Sequence, residues 1–157
     1  MDESDYKILD QLQKASDLPL TELSKSVGIS KTACWNRIRR MEEGGIIKGR
    51  HVSLNRFALN LPIVVFLSIT VGQHSPSWVA DFTRIVEQFT AIVEVHRLTG
   101  AGADYQLKII CETINAYDSL QQKLIAQIEF TSMSTRVSLE EIKQSCVLPL
   151  QHARLRA

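Results

Sequence analysis

Apolar residues recur at helical spacing through the first third of the chain and then change to alternation. Residues 4–13 carry Ile8, Leu9 and Leu12 on one side, with Asp2 or Ser4 as caps. Acidic residues crowd that first turn, where the helix dipole favours them. Pro19 opens a second short helix with Leu20, Leu23 and Val27 at i, i+3 and i+7, and Gly28 closes it. Ile29 alone separates Gly28 from Ser30, the N-cap of a third helix that ends at Gly44-Gly45. On a wheel turning about 100° per residue, Cys34, Ile38 and Met41 fall within roughly 40° of one another. Three helices with a short Gly-containing turn between the second and third make a helix-turn-helix. Ile8, Leu12, Leu23, Val27, Cys34, Ile38 and Met41 are its expected core.

Thr32, Trp35, Asn36, Arg39 and Arg40 cover the far side of the third helix, with Arg37 on a flank. Such a face suits the DNA major groove: arginine grips guanine bidentately, asparagine grips adenine, and apolar atoms touch the thymine methyl. It equally suits a solvated surface helix with one exposed tryptophan. After Gly45, the run Ile46–Val52 looks like a short basic β-ribbon. It would make the domain a winged helix and add phosphate contacts through Lys48 and Arg50.

The second half has the period of a sheet. Asn55 to Leu61 reads as a hinge before Pro62. Ile63, Val65, Leu67, Ile69 and Val71 share one face of a strand. Ser75 and Pro76 start a helix with the stripe Trp78, Phe82, Ile85, Phe89. Ile92–Leu98 and Tyr105–Cys111 are the next strands. Asn115 then caps a helix with Tyr117, Leu120, Leu124 and Ile128 inward. A last strand, about Met133–Ile142, is expected to bury Val137 and Leu139. The order βαββαβ is ferredoxin-like, with both helices on one sheet face. Val64, Phe66, Ile110 and Ile142 on the other face need a cover, and a partner subunit is the simplest one. The fold class is therefore α+β: an N-terminal winged helix-turn-helix over 1–50, a hinge or linker strand over 51–61, and a ferredoxin-like domain over 62–157.

Charge changes the picture only when divided. The chain of 157 residues has a net charge of +1. Residues 1–24 hold two basic and six acidic residues, net −4; residues 25–56 hold eight basic and two acidic, net +6. Positive charge is thus concentrated on the third helix and its sequel, the footprint of a phosphate-binding surface. The longest apolar run, Leu61–Leu67, contains a proline and is far short of the roughly 20 residues that span a bilayer. The acidic start MDESD is not followed by the apolar segment of a secretory signal, so a cytoplasmic location is expected. Cys34, Cys111 and Cys146 fit reduced thiols, the first two inward and the third exposed. The four histidines have no metal-ligand spacing, so no metal is expected. His96 reads as a partly buried strand histidine with a backbone partner, or else as a pH-sensitive or ligand contact. There is no GxSxG, HExxH or paired-carboxylate motif, and no enzyme activity is expected.

The residues also resemble a family. Glu22-Leu23, Val27-Gly28-Ile29-Ser30, Cys34-Trp35, Arg37-Ile38-Arg39-Arg40-Met41-Glu42 and Gly45-Ile46-Ile47 are similar to the N-terminal domain of the Lrp/AsnC, or feast/famine, regulators. The Cys-Trp pair resembles the branch that includes cysteine-responsive regulators. The likeness continues through Thr99, Gly100, Asp104 and Tyr105, and through Leu139 to Ser145. It implies a ferredoxin-like domain that dimerises sheet to sheet, four dimers to an octamer, and an amino-acid effector held between subunits.

The resemblance makes Gly100, Gly102, Asp104 and Tyr105 candidate effector residues, with Thr135 from the last strand. The segment TGAGADY departs from the family's Gly-Asp-x-Asp-Tyr: the first acid is missing and one residue is inserted. An effector ammonium relying on that carboxylate would have lost it. Two glycines also suit a plain hairpin turn. The expected function is a DNA-binding transcriptional regulator responding to a small amino acid, without a cofactor. Its DNA would be held by Ser30, Lys31, Thr32, Trp35, Asn36, Arg37, Arg39, Arg40, Lys48 and Arg50, with Trp35, Asn36, Arg39 and Arg40 on bases and Lys31, Arg37, Lys48 and Arg50 mostly on phosphates. The alternative is an amino-acid-binding enzyme or enzyme-regulatory subunit that binds no DNA. A third idea is thiol-based redox sensing through Cys146.

Overall fold

A computed structural model describes residues 1–153 of the chain. It divides into two compact units, Met1–Ser53 with the segment from Lys143, and Leu54–Ile142.

The first unit is built on three helices: α1 (Glu3–Lys14), α2 (Leu20–Val27) and α3 (Lys31–Glu43). Asp2 caps α1 in a capping box, its side chain accepting from the Asp5 N–H while the Asp5 carboxylate accepts from the Asp2 N–H. Gly28 ends α2 in the left-handed conformation, φ +78°. Its N–H and that of Ile29 return to carbonyls of the last turn of α2, so the chain reverses direction within two residues. Ser30 then caps α3 by accepting from the Ala33 N–H. Ile8, Leu23, Cys34, Ile38 and Met41 form the buried core as expected; Leu12 and Val27 are only partly buried around it.

Ile46–Val52 forms no strand. The amides of Ile46 and Ile47 donate to the Met41 carbonyl, which ends α3 and leaves no free ladder edge for a ribbon. Residues 51–61 contain a turn in place of a linker strand: Asn55 accepts from Phe57 and Ala58, and Asn60 is left-handed at φ 58°. The segment beyond Lys143, expected to continue the sheet domain, clusters with the helical unit instead. There the Gln13 side chain donates to the Leu148 carbonyl and accepts from its N–H, and the Tyr6 hydroxyl donates to the Ala153 carbonyl.

The second unit is a four-stranded antiparallel sheet of order β2-β3-β1-β4, from β1 (Ile63–Thr70), β2 (Ile92–Arg97), β3 (Tyr105–Cys111) and β4 (Ser132–Val137). Helices α4 (Pro76–Val86) and α5 (Ile114–Ile125) complete the βαββαβ order. Val65, Leu67 and Ile69 of β1 and Tyr105, Leu107, Ile109 and Cys111 of β3 face one core with Phe82, Ile85, Tyr117, Leu120, Leu124 and Ile128. Ser75 caps α4 with Pro76 in its first turn. Thr113, not Asn115, caps α5, its hydroxyl accepting from the Ala116 N–H. Both are good caps; β3 ending at Cys111 puts Thr113 at the corner.

β4 is shorter than expected. Its partner β1 begins at Ile63 after Pro62, which has no N–H with which to extend the ladder. Val137, the last residue of this edge strand, is half-exposed; Leu139 is fully exposed, and Ile142 lies beyond the strand at 90% exposure. Neither Val137 nor Leu139 is core.

Candidate nucleic-acid interface and effector loop

Helix α3 presents the polar face expected of it. Ser30, Lys31, Thr32, Trp35, Asn36, Arg39 and Arg40 are all exposed, and Trp35 leaves half its surface in solvent. Lys48 and Arg50 follow as exposed residues on irregular chain. The arginines, however, are not equivalent. Arg37 is half-buried, and its Nη1 donates to both Asp2 carboxylate oxygens at 2.8 and 2.7 Å and to Asp5 Oδ1 at 2.8 Å. Arg40 Nη2 donates to Asp5 Oδ2 at 2.7 Å while most of its side chain stays exposed. Arg39 pairs along its own helix with Glu43 at 2.9 Å, and Arg50 lies 3.4 Å from Glu42.

Electrostatics follows from this geometry. Hydrogen bonds from Arg37 hold the Asp2 carboxyl below its ordinary range, and Asp5 and Asp2 together raise the Arg37 guanidinium above its own. Arg37 faces two carboxylates and is poorly placed to neutralise a phosphate. Arg39 and Arg50 have only exposed partners, which water and salt weaken and which a phosphate can displace.

Asp5 is the residue that the sequence pattern hides, since the helix dipole already accounts for an acid in the first turn of α1. The signal was present: Asp5, Ile8 and Leu12 fall at i, i+3 and i+7, which puts a carboxylate on the buried stripe of α1. Its side chain has no exposure, and both oxygens are occupied by arginines of α3.

The loop between β2 and β3 is tied to the end of β1. Asp104 accepts from the Val71 N–H at 2.7 Å and stands 3.6 Å from His74 Nε2; its own N–H donates to the Ile69 carbonyl. Gly100 and Gly102 lie at φ +115° and +114°, a region closed to other residues at little cost, and Thr70 Oγ1 donates to the Gly102 carbonyl. Tyr105 points into the core between His74, Trp78 and Phe82, and its buried hydroxyl has no hydrogen-bond partner among the described residues.

Thr135 is not brought to this loop within one subunit. It lies opposite Leu67 on β4, two strands from β3, roughly 10 Å or more away at ordinary strand spacing. Its hydroxyl instead meets that of Tyr117 on α5. The sheet face away from the helices carries Val64, Phe66 and Ile110 toward one end. Across its middle, Lys108 binds Glu94 at 3.0 Å, with His96 3.4 Å from the same carboxylate. Lys108, then His96, holds the Glu94 carboxyl low. His96 is exposed and bonded to a side chain, contrary to the half-buried, backbone-bonded histidine expected.

Burial pushes the thiols of Cys34 and Cys111 up, so neither is a ready nucleophile; Cys146 is exposed. Among the described residues no cluster of His, Cys, Asp and Glu is arranged to hold a metal, and no helix is long and apolar enough to cross a membrane.

Comparison with known proteins covers both units. Residues 1–48 match a winged helix-turn-helix DNA-binding family, and residues 64–148 match the Lrp/AsnC ligand-binding domain. A glutamate uptake regulatory protein of Zymomonas mobilis is 40% identical over 150 residues, covering 96% of this chain and 91% of that protein. An AsnC family transcriptional regulator from Agrobacterium tumefaciens superposes with a TM-score of 0.91 at 40% identity, covering 96% of this chain and 98% of that one. The transcriptional regulator NMB0573 from Neisseria meningitidis, solved as a complex with L-Met, gives a TM-score of 0.90 at 27% identity, with 97% and 98% covered. A DNA-binding helix-turn-helix unit joined in one chain to a ligand-binding sheet unit places this protein in the Lrp/AsnC family of transcriptional regulators.

Proposed function

We propose that this regulator acts as a homodimer, or a closed assembly of dimers, that places two copies of α3 in successive major grooves of a near-palindromic site. Half-sites would then lie about 34 Å or a multiple apart. Arg39, Asn36 and Trp35 carry the base contacts, with Arg40 beside them, while Lys31, Lys48 and Arg50 meet phosphates. The observation that carries this reading is the division of α3: Cys34, Ile38 and Met41 are buried, and the opposite face is exposed, basic and capped by Ser30. A small amino acid is the effector, received where the Thr99–Tyr105 loop meets another subunit. The methionine held by the Neisseria relative supports that chemical class. The protein works by binding, not by catalysis, in the company of relatives that are transcriptional regulators.

The test is a gel shift on a duplex selected by the wild-type protein from a random pool. Arg39→Ala is expected to lose about 1–3 kcal/mol on the selected duplex, the worth of one bidentate base contact, and to lose discrimination at one base pair. Unchanged affinity and base preference would remove Arg39 from the interface.

A further inference from the structure

Asp5 is a buried carboxylate whose two oxygens are taken by arginines of a different helix, one that faces outward. Asp5 Oδ1 receives Arg37 Nη1 at 2.8 Å and Oδ2 receives Arg40 Nη2 at 2.7 Å. Its own backbone is fixed by the reciprocal capping box with Asp2, and Ile8 one turn on is fully buried. The carboxylate therefore sits on rigid backbone with no solvent to share its charge. Such a group binds guanidinium strongly and in a set direction.

The two arginines experience it differently. Arg37 is gripped by Asp5 and Asp2 together and is only 27% exposed, so its charge is spent inside the domain. Arg40 is held through Nη2 alone and its side chain is 62% exposed. One edge of its guanidinium is anchored, while Nε and Nη1 have no partner among the described residues. A fork anchored at one corner has lost most of its rotamer freedom before it meets a base, so less entropy is lost on contact.

We propose that Asp5 is a positioning residue for DNA recognition: it aims the free edge of Arg40 outward from α3 and withholds Arg37 from the phosphates. It thereby raises specific binding relative to non-specific binding without touching DNA itself. The proposal rests on the reading of α3 as the DNA-reading helix.

The sign of the effect separates this role from a structural one. In Asp5→Asn the side chain keeps its shape and loses its charge. Arg37 then keeps only the exposed Asp2 carboxylate, a partner that a phosphate can displace, and so becomes able to neutralise one more phosphate, while Arg40 is no longer aimed. Affinity for an unrelated duplex should rise, the slope of log affinity against log salt should steepen by about one, and the ratio of selected to unrelated affinity should fall about ten-fold. Arg40→Lys keeps the charge and removes the fork; it should lower the ratio similarly with no change in slope. Both are measured on the full-length protein by fluorescence anisotropy over a salt series, with a thermal melt of each variant.

An unchanged ratio and slope in Asp5→Asn overturns the proposal. So does a parallel loss on both duplexes that tracks a lowered melting temperature, because that is what a purely structural carboxylate would give. A wild-type protein that prefers no duplex at all, with Arg39→Ala indistinguishable from it, overturns the reading of α3 itself.

Discussion

At the residue scale, the basic face of α3 is governed by acids that lie outside it. Counting charge along the chain gives residues 25–56 a net +6, yet Arg37 is cancelled by Asp2 and Asp5, and Arg39 and Arg50 have Glu43 and Glu42 beside them. A linear charge count cannot see this, because Asp5 and Arg37 are 32 positions apart. The ion pairs also make an acid-sensitivity prediction. Asp2, held low by Arg37, and Glu94, held low by Lys108 and then His96, bind protons less readily folded than unfolded. Each contribution is complete above the unfolded carboxylate range and is lost as pH falls through the depressed folded value. The melting temperature should therefore drop from about pH 5 to about pH 3, with no matching change from these groups between about pH 6 and pH 8. Melts by circular dichroism check this, and a flat profile down to the lower limit contradicts it.

At the element scale, short stop signals do most of the placing. Pro19 and Gly28 bracket α2, Ser30 starts α3, and Ser75-Pro76 starts α4, each where the sequence predicts. The turn between α2 and α3 depends on Gly28, whose φ of +78° carries a steric cost for any residue with a Cβ. No atom lies within 4 Å of where that Cβ would go, so the penalty is purely conformational. Gly28→Ala should destabilise the helical unit by about 1–2 kcal/mol. Urea denaturation followed by the far-ultraviolet signal measures it, and an unchanged midpoint would remove the turn from among the determinants of the fold.

Strand β3 shows why alternation is the clearest sheet signal: Tyr105, Leu107, Ile109 and Cys111 are buried and the residues between them are not. The same signal fails at the ends. Ile46–Val52 has the composition of a ribbon, but its first amides are used in ending α3. Leu139 has the right parity for the core, but the ladder with β1 ends at the Ser138 N–H to Val64 carbonyl bond, because the next bonded pair would need an N–H that Pro62 lacks. A strand needs a neighbour with free hydrogen-bonding groups, and its own sequence does not state whether it has one.

At the scale of the whole molecule, the ligand-binding unit has one sheet face filled by α4 and α5 and the other carrying Val64, Phe66 and Ile110 beside the Glu94–Lys108 pair. Joining Thr135 to the proposed effector site would take a second subunit, since Gly100, Gly102 and Asp104 share a loop while Thr135 sits two strands away. Asp104, predicted to touch effector, already serves the Val71 amide and His74, so the loop is preshaped by its own chain. If an amino acid completes this site, it must stabilise the folded assembly by mass action. At one hundred times its dissociation constant the gain is about 2.7 kcal/mol, enough to raise the melting temperature by several degrees. A thermal-shift screen of the twenty amino acids should identify at least one binder, and Asp104→Ala should weaken its effect. Twenty flat responses would dismiss the effector proposal.

The sequence by itself determined the elements and their order, because helix caps, glycine turns and the two hydrophobic periods act over a few neighbouring residues. It also determined which side of α3 is buried, since Cys34, Ile38 and Met41 recur at one helical spacing. Only the tertiary structure decided which arginines of that helix are free, where β4 stops, and where Tyr105 and Thr135 lie relative to the glycine loop. Those outcomes depend on groups far apart in the chain: a carboxylate on α1, a proline before β1, a threonine two strands away. Coulomb attraction and hydrogen bonding act through space, so they are settled only when folding brings such groups within a few ångströms of each other.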